Sequence, residues 1–204
     1  MPSVLHSKNT ALLVVDMQNG FCHPDSQMGK NVGVRAQERI IPAITRLVTF
    51  CREQGVPVIW SQQIHFPDDV TRERKNLSTH FKKQKFLPCL QGTFETELHP
   101  QIKPLVATDD QIISKHRASV FFDTNLNTRL RMLGVSHLLV AGCNTEFCVA
   151  HTVRDAYARD YELLILRDCV AGIKEEYHQL CLQMFADYFA EVISSDKLSD
   201  YFVK

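Results

Sequence analysis

HLLVAGCNTEFCVAHTVRDA, residues 137–156, is the stretch on which the fold turns. His137–Ala141 is an unalternating apolar run that stops at Gly142, and Thr145–Arg159 reads as a helix straight after it. A short continuous apolar run followed by a helix is the repeating unit of a parallel sheet covered on both faces. The same rhythm recurs along the chain. Apolar runs at Ala11–Val15, Val56–Trp60, Gln111–Ile113, Tyr161–Leu166 and Glu191–Ser194 alternate with helical spacing over Val34–Glu53, Leu126–Leu133 and Glu175–Phe189. Gly55, Gly134 and Gly172 punctuate the ends of elements, where a left-handed residue is convenient. The pattern predicts an α/β fold, a three-layer α/β/α arrangement with a mostly parallel sheet. No internal repeat or low-complexity segment interrupts it, and residues 1–204 read as a single domain.

Composition narrows the function. The chain has 204 residues, with 23 Lys and Arg against 23 Asp and Glu. A balanced charge argues against a nucleic-acid binder, which carries a basic excess or stripe. No run of apolar residues is long enough to span a bilayer, and MPSVLHSKNT does not read as a signal peptide. A cytoplasmic location is expected, and the seven irregularly spaced cysteines fit a reducing compartment. Cys22, Cys51, Cys89, Cys169 and Cys181 read as small buried hydrophobes. One stretch, residues 66–92, shows no apolar period. From Arg72 to Lys85 it holds six Lys or Arg against one acid, Glu73. It is either a lid or binding loop, or a solvated surface excursion.

Open α/β sheets bind ligands at the carboxyl ends of their strands. Three reactive side chains fall at such ends: Asp16 in DMQNGF, Lys115 in IISKHRASVFF and Cys148 just past Gly142. Cys143 and Cys148 could form a disulfide, half a metal site, a core pair, or one inert thiol beside one reactive thiol. With Thr145 as helix N-cap, Cys148 would sit at the third helical position, where free N–H groups and the helix dipole favour a thiolate. The same N–H groups suit an oxyanion, and a carboxylate such as Asp16 suits proton transfer to and from the thiol. An acid, a base and a thiol together are the parts of an acyl-transfer site.

DMQNGF, SKHRASVFFDTNL and VAGCNTEFCVAHTVRDA, in this order and at these separations, resemble the isochorismatase-like cysteine hydrolases. That superfamily includes nicotinamidases, N-carbamoylsarcosine amidases and ureidoacrylate amidohydrolases. The resemblance runs from about Ala11 to Gly172. It implies a six-stranded sheet in Rossmann-like order and a catalytic triad of Asp16, Lys115 and Cys148. It also implies a cis peptide between Cys143 and Asn144, with the N–H groups of Asn144 and Cys148 forming the oxyanion hole.

Departures from the relatives bear on the substrate. The nicotinamidase branch carries an Asp-x-His metal signature after the second strand, where this chain reads SQQIHF. Gln62 and Gln63 replace the carboxylate and His65 is left as a lone imidazole, so neither a metal nor another cofactor is expected. The isochorismatase branch lacks the nucleophilic cysteine, by the same resemblance, so Cys148 points away from it. GTFETELHP and KHRASVFF look most like the carbamoyl and ureido amidohydrolases. The expected partner is therefore a small-molecule amide or ureido substrate, with no nucleic acid, no membrane, and a homo-oligomer (dimer or tetramer) as the assembly. Phe21, Gln62, Arg117 and Phe147 are the substrate-binding candidates, although Arg117 reads equally as a structural cation and the aromatics as packed residues. The alternatives are a nicotinamidase-like or isochorismatase-like hydrolase on another small substrate, a thiol-redox protein, and an idle binding scaffold.

Overall fold

The computed structural model of the chain describes residues 5–70 and 86–203. The basic stretch from Arg72 to Lys85 lies outside the described residues. Six strands form one sheet: β1 Thr10–Val15, β2 Val58–Gln63, β3 Gln111–Lys115, β4 His137–Cys143, β5 Glu162–Ala171 and β6 Glu191–Ile193. Their order across the sheet is β3-β2-β1-β4-β5-β6, and every neighbouring pair is parallel. The sheet is thus wholly parallel, in agreement with the expected six-stranded, mostly parallel arrangement. The chain builds outward from β1 to β3, crosses back to lay β4 beside β1, then builds outward again. The reversal between β1 and β4 is the switch point at which sheets of this kind leave a crevice.

Burial explains why some strands read so plainly. β1 and β4 sit at the centre of the sheet, and every residue of both is buried. Edge strand β3 is only partly covered, with Ile112 and Ser114 exposed. Alternate strand residues feed two cores. Leu12, Val14, Trp60, Leu139 and Leu164 face one side, while Leu13, Ile59, Val140, Leu163 and Ile165 face the other. Each fully buried Leu, Ile or Val stabilises the fold by about 1.5–3 kcal/mol.

Helices close both faces. On the first lies α4, Ile41–Glu53, whose Ile44, Leu47, Val48 and Cys51 follow helical spacing into the core. Three short helices precede it: α1 Asn19–Cys22, α2 Gln27–Asn31 and α3 Arg35–Arg39. The second face is covered by α5 Leu126–Met132, α6 Ala150–Tyr157 and α7 Glu175–Tyr188. The single helix expected over Val34–Glu53 is broken at Ile40, the junction of α3 and α4. Pro42 has no N–H to give the carbonyl four residues back, so the helical ladder is interrupted there. Among the described residues no helix is long and apolar enough to cross a membrane.

One glycine sets how closely the two central strands approach. Gly142 pairs with Val15 and has φ +108°. A Cβ at Gly142 would lie 2.0 Å from the Val15 carbonyl oxygen, so only glycine lets the end of β4 lie against the end of β1. Cys143 then reaches Asp16 directly, its Sγ donating to the Asp16 carbonyl oxygen at 3.3 Å.

Candidate active site

Asp16, Lys115 and Cys148 converge at the switch point, and each is buried. Asp16 follows the last residue of β1 with φ +51°, a left-handed conformation that Asp tolerates better than most residues. Its Oδ1 accepts from Ser61 Oγ at 2.6 Å, and its backbone N–H donates to the same oxygen at 3.2 Å. Ser61 and Gln63, two residues apart on β2, both point into the site. Lys115 ends β3 in register with Gln63. Two strand spacings of about 4.8 Å separate β3 from β1, a distance that calls for a long side chain. The Lys115 ammonium passes over β2 and lies 2.7 Å from Asp16 Oδ2. It also donates to Gln63 Oε1 at 2.7 Å, to the Arg117 carbonyl at 3.1 Å and to Cys148 Sγ at 3.5 Å.

Cys148 comes from a widened helical turn. Thr145–Val149 forms a π-helical turn that runs directly into α6, a local form that recurs at functional sites. Asn144, not Thr145, is the N-cap residue, which makes Cys148 the fourth residue of the turn rather than the third. The Thr145 hydroxyl is engaged elsewhere, sharing a 2.8 Å hydrogen bond with His178 Nδ1. The Asn144 carbonyl accepts from the N–H groups of Phe147 and Val149. The Cys143–Asn144 peptide is cis.

The electrostatics differ from the sequence expectation in one respect. The Cys148 thiol is pushed up to about 12, chiefly by burial. Lys115 pulls it down and Asp16 pushes it up further. Desolvation of a thiolate outweighs one ammonium whose charge is already shared with a carboxylate. The resting nucleophile is therefore a neutral thiol, with the Lys115 ammonium 3.5 Å from its sulfur. Burial by itself would lower the Lys115 pKa. The Asp16 carboxylate is the largest of the effects that outweigh burial, and the net shift is upward, so Lys115 is an ammonium.

The other expected site residues are more scattered. Gln62 is half-buried and its Nε2 donates to the Thr96 carbonyl at 3.1 Å. Arg117 Nη1 lies 3.1 Å from Asp69 Oδ2 and donates to the His116 carbonyl at 2.8 Å. Its backbone oxygen, not its guanidinium, is what meets Lys115. Phe21 is buried in the core on the α4 side. Phe147 is half-buried and packs edge-on against His151, with ring centres 5.2 Å apart. The sulfur that Cys143 meets is Cys22 Sγ, at 3.8 Å. All seven cysteines are free.

Sequence reasoning passed over three residues that build the site, Ser61, Gln18 and Gln37, and named Gln63 only as the replacement for a metal-binding carboxylate. Ser61 orients Asp16, and Gln63 holds Lys115. Gln18 binds the end of β2 like an added strand, accepting from Gln63 N at 2.6 Å and donating to Gln63 O at 3.0 Å. Gln37 Nε2, buried, donates to Asn144 Oδ1 at 2.7 Å and to the Gly172 carbonyl at 3.1 Å. The signal for Ser61 and Gln63 was present in SQQ: two polar residues, two apart, closing an apolar strand. Among the described residues no group of three His, Cys, Asp or Glu side chains is placed to hold a metal ion.

Comparison with known proteins gives a consistent outcome. The isochorismatase domain family matches residues 10–197. A protein of Arabidopsis thaliana named "Probable inactive nicotinamidase" is 36% identical over 173 residues, 84% of this chain and 85% of that protein. Nicotinamidase 3 of the same plant is 29% identical over 196 residues, 95% of this chain and 88% of that protein. N-carbamoylsarcosine amidase of an Arthrobacter species is 26% identical over 196 residues, 96% of this chain and 72% of that protein. Among solved structures, an isochorismatase-like hydrolase from Alkaliphilus metalliredigens superposes with a TM-score of 0.80 at 25% identity, over 94% of this chain and 98% of that one.

Proposed function

The chain belongs to the isochorismatase family, and from that premise we propose that it is a cysteine hydrolase cleaving the C–N bond of a small amide or of a carbamoyl or ureido compound. The observation that carries this reading is the buried ammonium held 2.7 Å from a carboxylate and 3.5 Å from a thiol at the switch point of the sheet. Asp16 takes the Cys148 proton as the sulfur attacks the substrate carbonyl carbon. A thiol at about 12 is a weak acid, so transfer accompanies attack instead of preceding it. The sulfur so released is a stronger nucleophile than a low-pKa thiolate, because nucleophilicity rises with basicity. Lys115 offsets the negative charge that builds on the sulfur and Asp16, and the N–H groups of Asn144 and Cys148 take the oxyanion. The proton on Asp16 passes to the leaving nitrogen, ammonia or an amine departs, and water cleaves the thioester.

The choice of a carbamoyl or ureido substrate rests on what stands beside the triad. At the place of the nicotinamidase branch's metal-binding carboxylate is Gln63, and its oxygen is already taken by Lys115. That donor set does not fit a metal ion, so no step runs through one. The amidase relative lends the same reading its substrate class. The proposal takes residues 1–204 as one hydrolase domain working in a reducing compartment, where seven free thiols persist. Its partner chain is another copy of itself: α7 has fourteen residues and one buried side chain, and exposes Tyr177 and Leu180.

A second reading, an idle scaffold of the same fold, is favoured by the name of the plant relative that is called inactive. An ammonia-release screen over simple amides, N-carbamoyl amino acids, ureidoacrylate and biuret separates the two. Turnover on one of them, abolished in Cys148→Ser with the melting curve unchanged, is the expected result. Turnover that survives in Cys148→Ser, or none on any compound, would discard the hydrolase reading.

A further inference from the structure

Gln63 has an end that the mechanism does not use. Its Oε1 accepts from Lys115 Nζ at 2.7 Å. An ammonium can only donate, so the amide cannot be turned round, and Nε2 must point elsewhere. Gln63 is 3% exposed, and among the described residues its Nε2 has no hydrogen-bond partner. The Gln63 backbone is tied on both sides to the Gln18 side chain, so the strand cannot slide to relieve it. An unpaired buried donor destabilises a protein by about 1–3 kcal/mol. The span of one amide keeps Nε2 within about 5 Å of the Lys115 nitrogen, which is itself 3.5 Å from the Cys148 sulfur. A substrate carbonyl seated on that sulfur therefore brings its neighbouring atoms within reach of Nε2.

We propose that Gln63 Nε2 is a specificity-determining donor, one that takes a second oxygen acceptor of the substrate next to the carbonyl under attack. The acceptor is a carbonyl or carboxylate oxygen, of the kind a ureide, a biuret or an N-carbamoyl acid supplies and a simple alkylurea lacks. Binding such a group gives the buried N–H its missing partner. An analogue with a methylene there leaves it unpaired, and a site built this way rejects that analogue. The inference rests on the hydrolase reading for its substrate class, while the position of the donor stands apart from it.

Two variants separate this role from the support Gln63 gives Lys115. Gln63→Glu keeps an oxygen for the ammonium and loses the N–H, whereas Gln63→Met loses both. The probe is alkylation of Cys148, followed by intact mass, with iodoacetamide, which carries a carbonyl oxygen beside its reacting carbon, and with methyl iodide, which carries none. The ratio of the two rates should fall about tenfold in both variants. A ratio unchanged in Gln63→Glu, or equal slowing toward both reagents, overturns the inference and leaves Gln63 a positioning residue for Lys115. In the activity arm, the preference for biuret over N-propylurea should shrink by a similar factor in Gln63→Glu. If the unaltered chain turns over neither compound, the hydrolase reading is what suffers, and the alkylation ratio still decides the role of Gln63.

Discussion

The buried pair of Asp16 and Lys115 offers the sharpest test of how the site is held together. Both side chains are fully shielded from solvent, and their charged atoms lie 2.7 Å apart. Lys115→Met keeps the aliphatic stem but strands the Asp16 carboxylate without its cation. Breaking a buried pair from one side costs about 3–5 kcal/mol. For a chain of this length each kcal/mol lowers the melting temperature by about 2–4 °C, so a fall on the order of 10 °C is expected. Asp16→Asn strands the ammonium in turn. Asn is the suitable replacement because it tolerates the left-handed backbone at position 16 and still accepts from Ser61. The double variant Asp16→Asn/Lys115→Met buries no charge at all. Replacing a buried pair outright is often close to neutral, so its stability should return to within about 1–2 kcal/mol of the parent. Calorimetry or urea unfolding on the four proteins gives the coupling energy, which should exceed about 2 kcal/mol. Ammonia release should vanish in all three variants. Losses that simply add, or a Lys115→Met protein that melts with the parent, would show that the two charges are not coupled and would refute the geometry argued above.

Two further outcomes follow from the same site. Stability should fall steeply in alkali, because the thiols of Cys51, Cys148 and Cys169 are each pushed from 9.0 up to about 12 by burial. Above pH 9 the unfolded chain releases protons that the folded chain keeps, so each thiol lowers stability by about 1.4 kcal/mol per pH unit as pH rises from 9 toward 12. Lys115, raised from 10.5, adds to the fall at the top of that window. Urea midpoints between pH 7.5 and 10.5 would show the slope, and a flat profile above pH 9 would contradict it. Chelation is the other measurement. Dialysis against EDTA should leave turnover unchanged, since the oxygen of Gln63 is engaged by Lys115, and loss of activity restored by added metal would overturn the metal-free mechanism.

Several features were legible because they depend on local sequence. β1 and β4 read as strands because they lie at the centre of a covered sheet, where every residue faces a core. Edge strand β3 was underestimated: the apolar run stops at Ile113 because exposed Ser114 is polar, although the strand continues to Lys115. The break at Ile40 was readable in principle from Pro42, but helical apolar spacing ran straight across it. The Thr145 cap was a reasonable expectation that a long-range contact displaced, since His178 on α7 engages its hydroxyl. Residue types and their positions at strand ends suggested Asp16, Lys115 and Cys148, and the resemblance of three motifs to a known family decided the choice. Which of them touch, and in what protonation state, was decided by strands 45 to 127 residues apart being laid side by side. Lys115 meets Asp16 because β2 lies between β3 and β1, and Gln63 lies in the path of its side chain. The thiol is neutral because that packing removes water from the sulfur. Charge, solvation and distance are set by neighbours that folding brings together, whereas strand, helix and turn are written in the residues themselves.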